Sequence, residues 1–427
     1  MSWILRAVAL ASIVLASRSV VAQEADIASL RAATKARPTD AAASLALGRG
    51  LRRAGHFVEA TRELTRGSQL GSALKGGLNL RLGYEAALAT LDRRDVPGAL
   101  KVCEALGKRS AIGYACRAEA YLAQNRASEA LPLAKAAVAS EPDLYEARLV
   151  GGRSFALQGK VAEAELTLRK LGEAVPQRPE ANHWLGVFLL ARGQREGGVA
   201  ALRLALAADP GDPEIALHLA EPRRGTKEAQ ALLDRAVKIR PGYAEAYSEL
   251  AATSIELGDV AAAESAATSA VRLDPQSTGA HVILARVRNQ QGRWDEATRE
   301  AEAAKKLVPN SAAAELALGD AHDGKGEIDL AADAYLRAFG LDRADPEPLL
   351  RAGRACARAS RPTMARGFAD KLTAELPRFA PGWVFLGDLA AKTDRDRARA
   401  AYEAALKAEG SIDRPAVEKK LAALGRP

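Results

Sequence analysis

Large rings are scarce in this chain: aromatic residues occupy 4% of its 427 positions. That excludes a globular core filled by bulky side chains. The 48% hydrophobic content falls mostly on alanine, leucine and valine at helical spacing, which suits helices packed closely on one another. No sheet is required. Metal ligands are also few. The five histidines (His56, His183, His218, His281, His322) are scattered, with no H-E-x-x-H run and no cysteine ligand spacing, so neither a metal nor another cofactor is expected. There is no G-x-S-x-G elbow, and Cys356 has no evident base. Nothing therefore argues for hydrolysis, phosphoryl transfer or redox chemistry, and the chain is expected not to be an enzyme. Charge of one sign is never concentrated. The 61 Lys and Arg interleave with 53 Asp and Glu to leave +8, and Arg6 and Arg18 of that excess lie in a segment expected to be removed. This balance is not a nucleic-acid footprint.

The N-terminus reads as an export signal over 1–22. After Arg6 comes an apolar run from Ala7 to Ala16, then Val20, Val21 and Ala22 as a small-residue cleavage site before Gln23. The run is too short to cross a bilayer comfortably, so no membrane span is expected once it is removed. No cysteine follows it to carry a lipid. An alanine- and arginine-rich composition suggests a high-GC Gram-negative bacterium, with the mature chain periplasmic or secreted. Retention of the segment as an anchor is the alternative. Of the three cysteines, Cys356 falls at a core place. Cys103 and Cys116 lie at similar heights on either side of a turn at Lys108 to Ser110. Packed helix axes stand about 8 to 10 Å apart, whereas a disulfide wants Cα atoms within about 7 Å. A bridge and two buried thiols both stay open.

What the chain has in quantity is one repeated unit. Tyr247, Leu250, Ala251, Gly258, Ala263, Ala270 and Pro275 are followed 34 positions later by His281, Leu284, Ala285, Gly292, Ala297, Ala304 and Pro309. Each class has a packing reason. Small residues at the eighth place (Gly48, Gly152, Gly186, Ala251, Ala285, Gly319, Gly353, Gly387) let the first helix of a unit lie close to the second. The twentieth place is small again (Ala60, Ala130, Ala164, Gly198, Ala263, Ala297, Ala331), so the opposing helix presents no bulk at the crossing. Proline near the end (Pro142, Pro176, Pro210, Pro241, Pro275, Pro309, Pro377) stops the second helix.

This unit resembles the tetratricopeptide repeat (TPR) family, from about Ala41 to about Glu409. The resemblance implies an all-α, right-handed α-solenoid of about eleven helix pairs with capping helices, acting by binding. The expected organisation is a capping half-repeat at 23–40, the array at 41–410 and a C-terminal capping helix at 411–427. Gly67, Gly71, Gly76 and Gly77 make the array irregular around 65–110. Pro222 shortens the unit at 213–243, because proline within a helix removes a backbone bond and clashes with the preceding turn.

Two near-matches to chemical motifs have repeat explanations. Gly319, Gly324 and Lys325 fit part of a phosphate loop, but Gly326 stands where a hydroxyl is needed. Asp320, His322 and Asp323 are close in sequence and read either as a weak cation site or as a solvated helix end.

The family's functional surface is the concave groove lined by first helices. At 100° per residue, the stripe opposite the core collects Arg49, Arg153, Trp184, Arg286, Asn289, Arg354 and Phe385 as candidate partner contacts. Arginine recurs at the ninth place, which would suit an acidic protein or peptide partner, or less well an acidic polysaccharide. Glu119, Asp320 and Asp388 hold the same place elsewhere, so a mixed-charge solvated face is the competing reading. Trp184 and Phe385 are either hot spots or packed on a neighbouring helix. The peptide-carboxylate clamp of chaperone-binding relatives is absent. The expected function is a non-catalytic protein-interaction scaffold in the bacterial cell envelope. The alternative is a substrate-gripping or regulatory subunit of an envelope glycosyl or sulfuryl transferase or a polysaccharide export complex.

Overall fold

The computed structural model describes residues 27–70 and 77–425. The expected signal segment, residues 23–26 of the capping half-repeat, and Gly71 and Gly76 lie outside the described residues. Among those residues there is no β-strand. One isolated bridge joins the turn at Phe379 to Glu409, with Ala380 N donating to Glu409 O at 2.7 Å.

Two compact units divide the chain, one ending at Glu249 and one beginning at Leu250. The first opens with α1 (27–36), followed by the pairs α2 (Ala41–Arg53) with α3 (Phe57–Leu70) and α4 (Leu78–Asp92) with α5 (Val96–Ala105). Next come α6 (Ala111–Leu122) with α7 (Ala127–Ser140), α8 (Tyr145–Leu157) with α9 (Val161–Ala174), α10 (Pro179–Ala191) with α11 (Arg195–Ala208), and α12 (Pro213–Ala220) with α13 (Lys227–Ile239). Helix α14 (Ala244–Glu256), within which the division falls, is followed in sequence by α15 (Val260–Leu273). The second unit continues with α16 (Thr278–Gln290) and α17 (Trp294–Leu307), α18 (Ala312–Gly324) and α19 (Ile328–Leu341), and α20 (Glu347–Arg358) and α21 (Pro362–Glu375). It ends with α22 (Ala380–Ala390), α23 (Arg395–Lys407) and the single helix α24 (Arg414–Ala423).

Sequence signals bound these helices. Asp40, Asp95, Ser110, Thr226, Asp259, Ser277, Ser311 and Asp413 each accept a backbone N–H from the helix they precede. An N-cap of this kind is worth about 1 kcal/mol. At the far ends, Glu141, Val175, Asp209, Arg240, Asp274 and Val308 leave helical geometry just before proline, which disfavours αR there. Asp342 adopts the same backbone without a following proline. Pro222 sits in a 3₁₀ turn at Glu221–Arg223, and α12 has 8 residues where α10 has 13.

Packing follows residue size. A Cβ added to Gly48 would stand 2.3 Å from Leu64 Cγ, one on Gly186 2.6 Å from Leu202 Cγ, and one on Gly319 2.5 Å from Tyr335 Cδ1. Real side-chain carbons do not approach so closely, so each glycine is a place where the second helix of the pair presses its large residue against the first. From the other side Ala60, Ala130, Ala164, Ala263, Ala297 and Ala331 have no exposed surface. Among the aromatic side chains of the helix pairs, Tyr335 and Tyr402 are buried. Tyr121, Phe155, Trp294 and Trp383 are half-buried.

Cys103 at the end of α5 and Cys116 in α6 form a disulfide with Cα atoms 5.4 Å apart. The short turn between the helices holds them nearer than two helix axes would lie. Cys356 is a free, fully buried thiol whose pKa burial pushes up.

Candidate functional site: the charged faces of the first helices

The stripe of first-helix side chains is charged, and most of those charges are already matched inside the chain. Arg49 donates Nε to Glu85 Oε1 at 2.9 Å, from α2 to α4. Glu85 is 5% exposed. Burial would raise its pKa, but Arg49 and Arg52 outweigh burial and hold the carboxyl below its usual range. Arg153 of α8 pairs with buried Glu119 of α6, which also accepts the Tyr84 hydroxyl at 3.1 Å. In the second unit Arg351 of α20 bonds Asp320 of α18 at 2.7 Å, and Arg358 pairs with Asp323. Lys420 of α24 bonds Asp388 of α22 at 2.7 Å. Acids and arginines on consecutive first helices therefore neutralise each other laterally. The mixed-charge reading of the ninth place is the one the geometry supports, and Arg49 and Arg153 do not form an open ladder of donors.

The other candidates divide. Trp184 is half-buried under the Arg153 guanidinium, 4.0 Å from the ring centroid, and stacks on His183. Asn289 is 8% exposed and donates Nδ2 to Ala317 O at 2.9 Å, so it belongs to the contact between α16 and α18 and not to an open stripe. Phe385 packs against α20, where its Cε1 would lie 2.5 Å from a Cβ on Gly353. Its exposed remainder lines a hollow of about 300 Å³ with Arg354, Asp388 and Lys420. Arg354 is exposed and has no ion pair among the described residues. Arg286 lines a neighbouring hollow of about 330 Å³ with Gln290, Asp320 and Arg351.

The near-matches dissolve in the same way. Gly324 faces the Trp294 ring, Lys325 pairs with Asp295 and Glu327, and Gly326 takes φ +76° at the turn, so no phosphate loop exists. His322 bonds Glu327 at 2.6 Å while Asp320 and Asp323 face arginines, so the cation reading fails. No metal-binding cluster occurs among the described residues.

Two features escaped sequence reading. His183 Nε2 and His218 Nδ1 lie 2.7 Å apart. Burial holds both rings neutral, with pKa values lowered to about 4. Both residues belong to the inner stripes of consecutive units, which is the signal that would have found them. The second feature is a return contact in the first unit. Arg53 of α2 pairs with Asp209 after α11, and Arg240 after α13 donates Nε to Arg53 O at 3.0 Å. The hollow so enclosed has a volume of about 430 Å³ and a wall of arginines and carboxylates.

Family models described as Tetratricopeptide repeat match residues 121–187, 254–321 and 220–278. No curated protein matches the chain. Among solved structures it is similar to the APC/C hetero-tetramer Cut9–Hcn1, at 17% identity and TM-score 0.41 over 94% of this chain and 86% of that one. It is also similar to a tetratricopeptide repeat protein from Parabacteroides merdae, at 14% identity and TM-score 0.42 over 66% of this chain and 99% of that one. A thermophilic TPR protein of Thermus thermophilus shares 23% identity, TM-score 0.37, over 42% and 99%. No described helix is long and apolar enough to cross a membrane. With the family models matching inside an array of helix pairs that meet through glycine and alanine at fixed places, the chain carries tetratricopeptide repeats over residues 121–187 and 220–321.

Proposed function

We propose that this protein is a non-catalytic scaffold of the bacterial cell envelope that binds a protein partner along the first helices of its repeats. The observation that carries this reading lies in the second unit. There α16, α18 and α20 line one polar hollow, and α20, α22 and α24 line the next, so consecutive repeats offer consecutive recesses suited to an extended segment. Arg354, exposed beside the Phe385 ring, supplies a guanidinium for an acidic side chain of that partner. Export is supported by the Arg6 to Ala22 segment and by the Cys103–Cys116 disulfide, a bond at home in oxidising compartments. No observation favours the transferase-subunit alternative.

Crosslinking capture from envelope fractions tests the reading. The chain should retain a partner protein, and Arg354→Glu should weaken capture by about tenfold while the far-UV circular dichroism stays unchanged. Equal capture by the variant refutes the surface; absence of the chain from periplasmic and secreted fractions refutes the location.

A further inference from the structure

The hollow of the first unit holds one arginine side chain without a partner. Its wall holds six arginines (Arg49, Arg52, Arg53, Arg81, Arg178, Arg240) and five carboxylates (Glu85, Glu180, Asp209, Asp212, Glu214), with Asp92 and Glu146 behind the wall pairing with Arg52 and Arg178. Five of the arginines are spoken for. Arg49 has Glu85, Arg52 bonds Asp92 at 2.5 Å, Arg53 has Asp209, Arg178 bonds Glu146 at 2.8 Å, and Arg240 bonds Glu214 at 3.0 Å. The Arg81 side chain has no hydrogen bond or ion pair among the described residues, and its Nε is buried without a partner. Burial first, then Arg49 and Arg178, disfavour its charge and outweigh the support of Glu85 and Glu146, so its pKa is lowered. A half-buried guanidinium left without a partner beside like charges costs stability, and sites built for a ligand tolerate that cost.

We propose that this hollow binds a carboxylate, with the Arg81 guanidinium taking its two oxygens. The fork of an arginine fits a planar carboxylate through two parallel bonds. A carboxylate brings one negative charge to the one guanidinium without a partner, whereas a phosphate monoester would bring about −1.5 to −2 among five wall carboxylates. At about 430 Å³ the space admits a group larger than a bare ion. The carboxylate comes either from a free organic acid or from an acidic side chain of a peptide. The site goes beyond the scaffold reading and does not use the Arg354 surface, so either can fail without the other.

Thermal melts of the full chain test it, with millimolar glutarate, the capped peptide Ac-Ala-Glu-Ala-NH2, its glutamine counterpart, and sulfate at matched ionic strength. Glutarate or the glutamate peptide should raise the melting temperature, the first identifying a small acid and the second a peptide side chain; the glutamine peptide and sulfate should not. Arg81→Gln should melt higher than the wild type without ligand and bind the effective carboxylate about tenfold more weakly or worse. Arg81→Lys, keeping the charge without the fork, should retain a reduced response. A response to neither carboxylate, an equal response to sulfate, a response surviving in Arg81→Gln, or an unliganded Arg81→Gln less stable than the wild type overturns the proposal.

Discussion

Replacing Gly319 with leucine tests the packing register most directly, because the same replacement at Gly340 in the same helix pair should have the opposite sign. A Cβ at Gly319 stands 2.5 Å from both Cδ1 and Cε1 of Tyr335. That ring has little room to retreat. It is 1% exposed, its hydroxyl bonds Asp320 at 2.8 Å, and Asp320 is held in turn by Arg351 at 2.7 Å. Overpacking of this kind costs about 1 to 3 kcal/mol, and freeing the tyrosine hydroxyl adds about 1 kcal/mol. Against this stands the gain of about 0.8 kcal/mol from replacing glycine in a helix. The net expectation is a loss of about 1 to 3 kcal/mol. At Gly340, exposed and with nothing within 4 Å of an added Cβ, the same helix gain stands alone. Urea titration followed by circular dichroism reads both. Gly319→Leu should lower the midpoint by about 0.5 to 1 M, and Gly340→Leu should leave it equal or higher. A Gly319→Leu midpoint at or above the wild type would refute the assigned contact.

Two further outcomes follow from buried charge. Because His183 and His218 have folded-state pKa values near 4, below the unfolded value of 6.5, the unfolded chain binds more protons between those limits. Their stabilisation is therefore complete above pH 6.5 and is lost as the pH falls towards 4. The loss is about 3 kcal/mol for one ring held neutral across that window. Urea midpoints measured from neutral to acid pH should fall less steeply in His218→Asn, and identical slopes would contradict the buried pair. Arg153→Met should leave Glu119 charged and buried with only the Tyr84 hydroxyl, at a cost of about 3 to 5 kcal/mol. A change below 1 kcal/mol in the urea midpoint analysis would show that Arg153 faces solvent instead.

The candidate site was only partly legible in advance. Residue type and spacing located the first-helix stripe and its mixed charge. They did not reveal that Arg49 and Arg153 are matched within the chain, that Asn289 turns into a helix contact, or that Phe385 presses on Gly353. A stripe computed on one ideal helix treats everything facing away from its own pair as free. Residues about one repeat away, such as Glu119 for Arg153, then close over it.

By itself the amino-acid sequence determined the helix pairs, their caps and the residues at their crossings. Room for two close helices depends on side-chain size at a fixed period, and helix ends depend on capping residues and prolines beside them; both are local. Tertiary structure alone decided which carboxylate meets which arginine, the meeting of His183 with His218, and the isolation of Arg81. The contact of Arg240 with Arg53 joins residues 187 positions apart, and it arises from small rotations between neighbouring repeats that add up along the first unit. No single repeat encodes that sum, so the cavity it encloses exists only once the whole unit has folded.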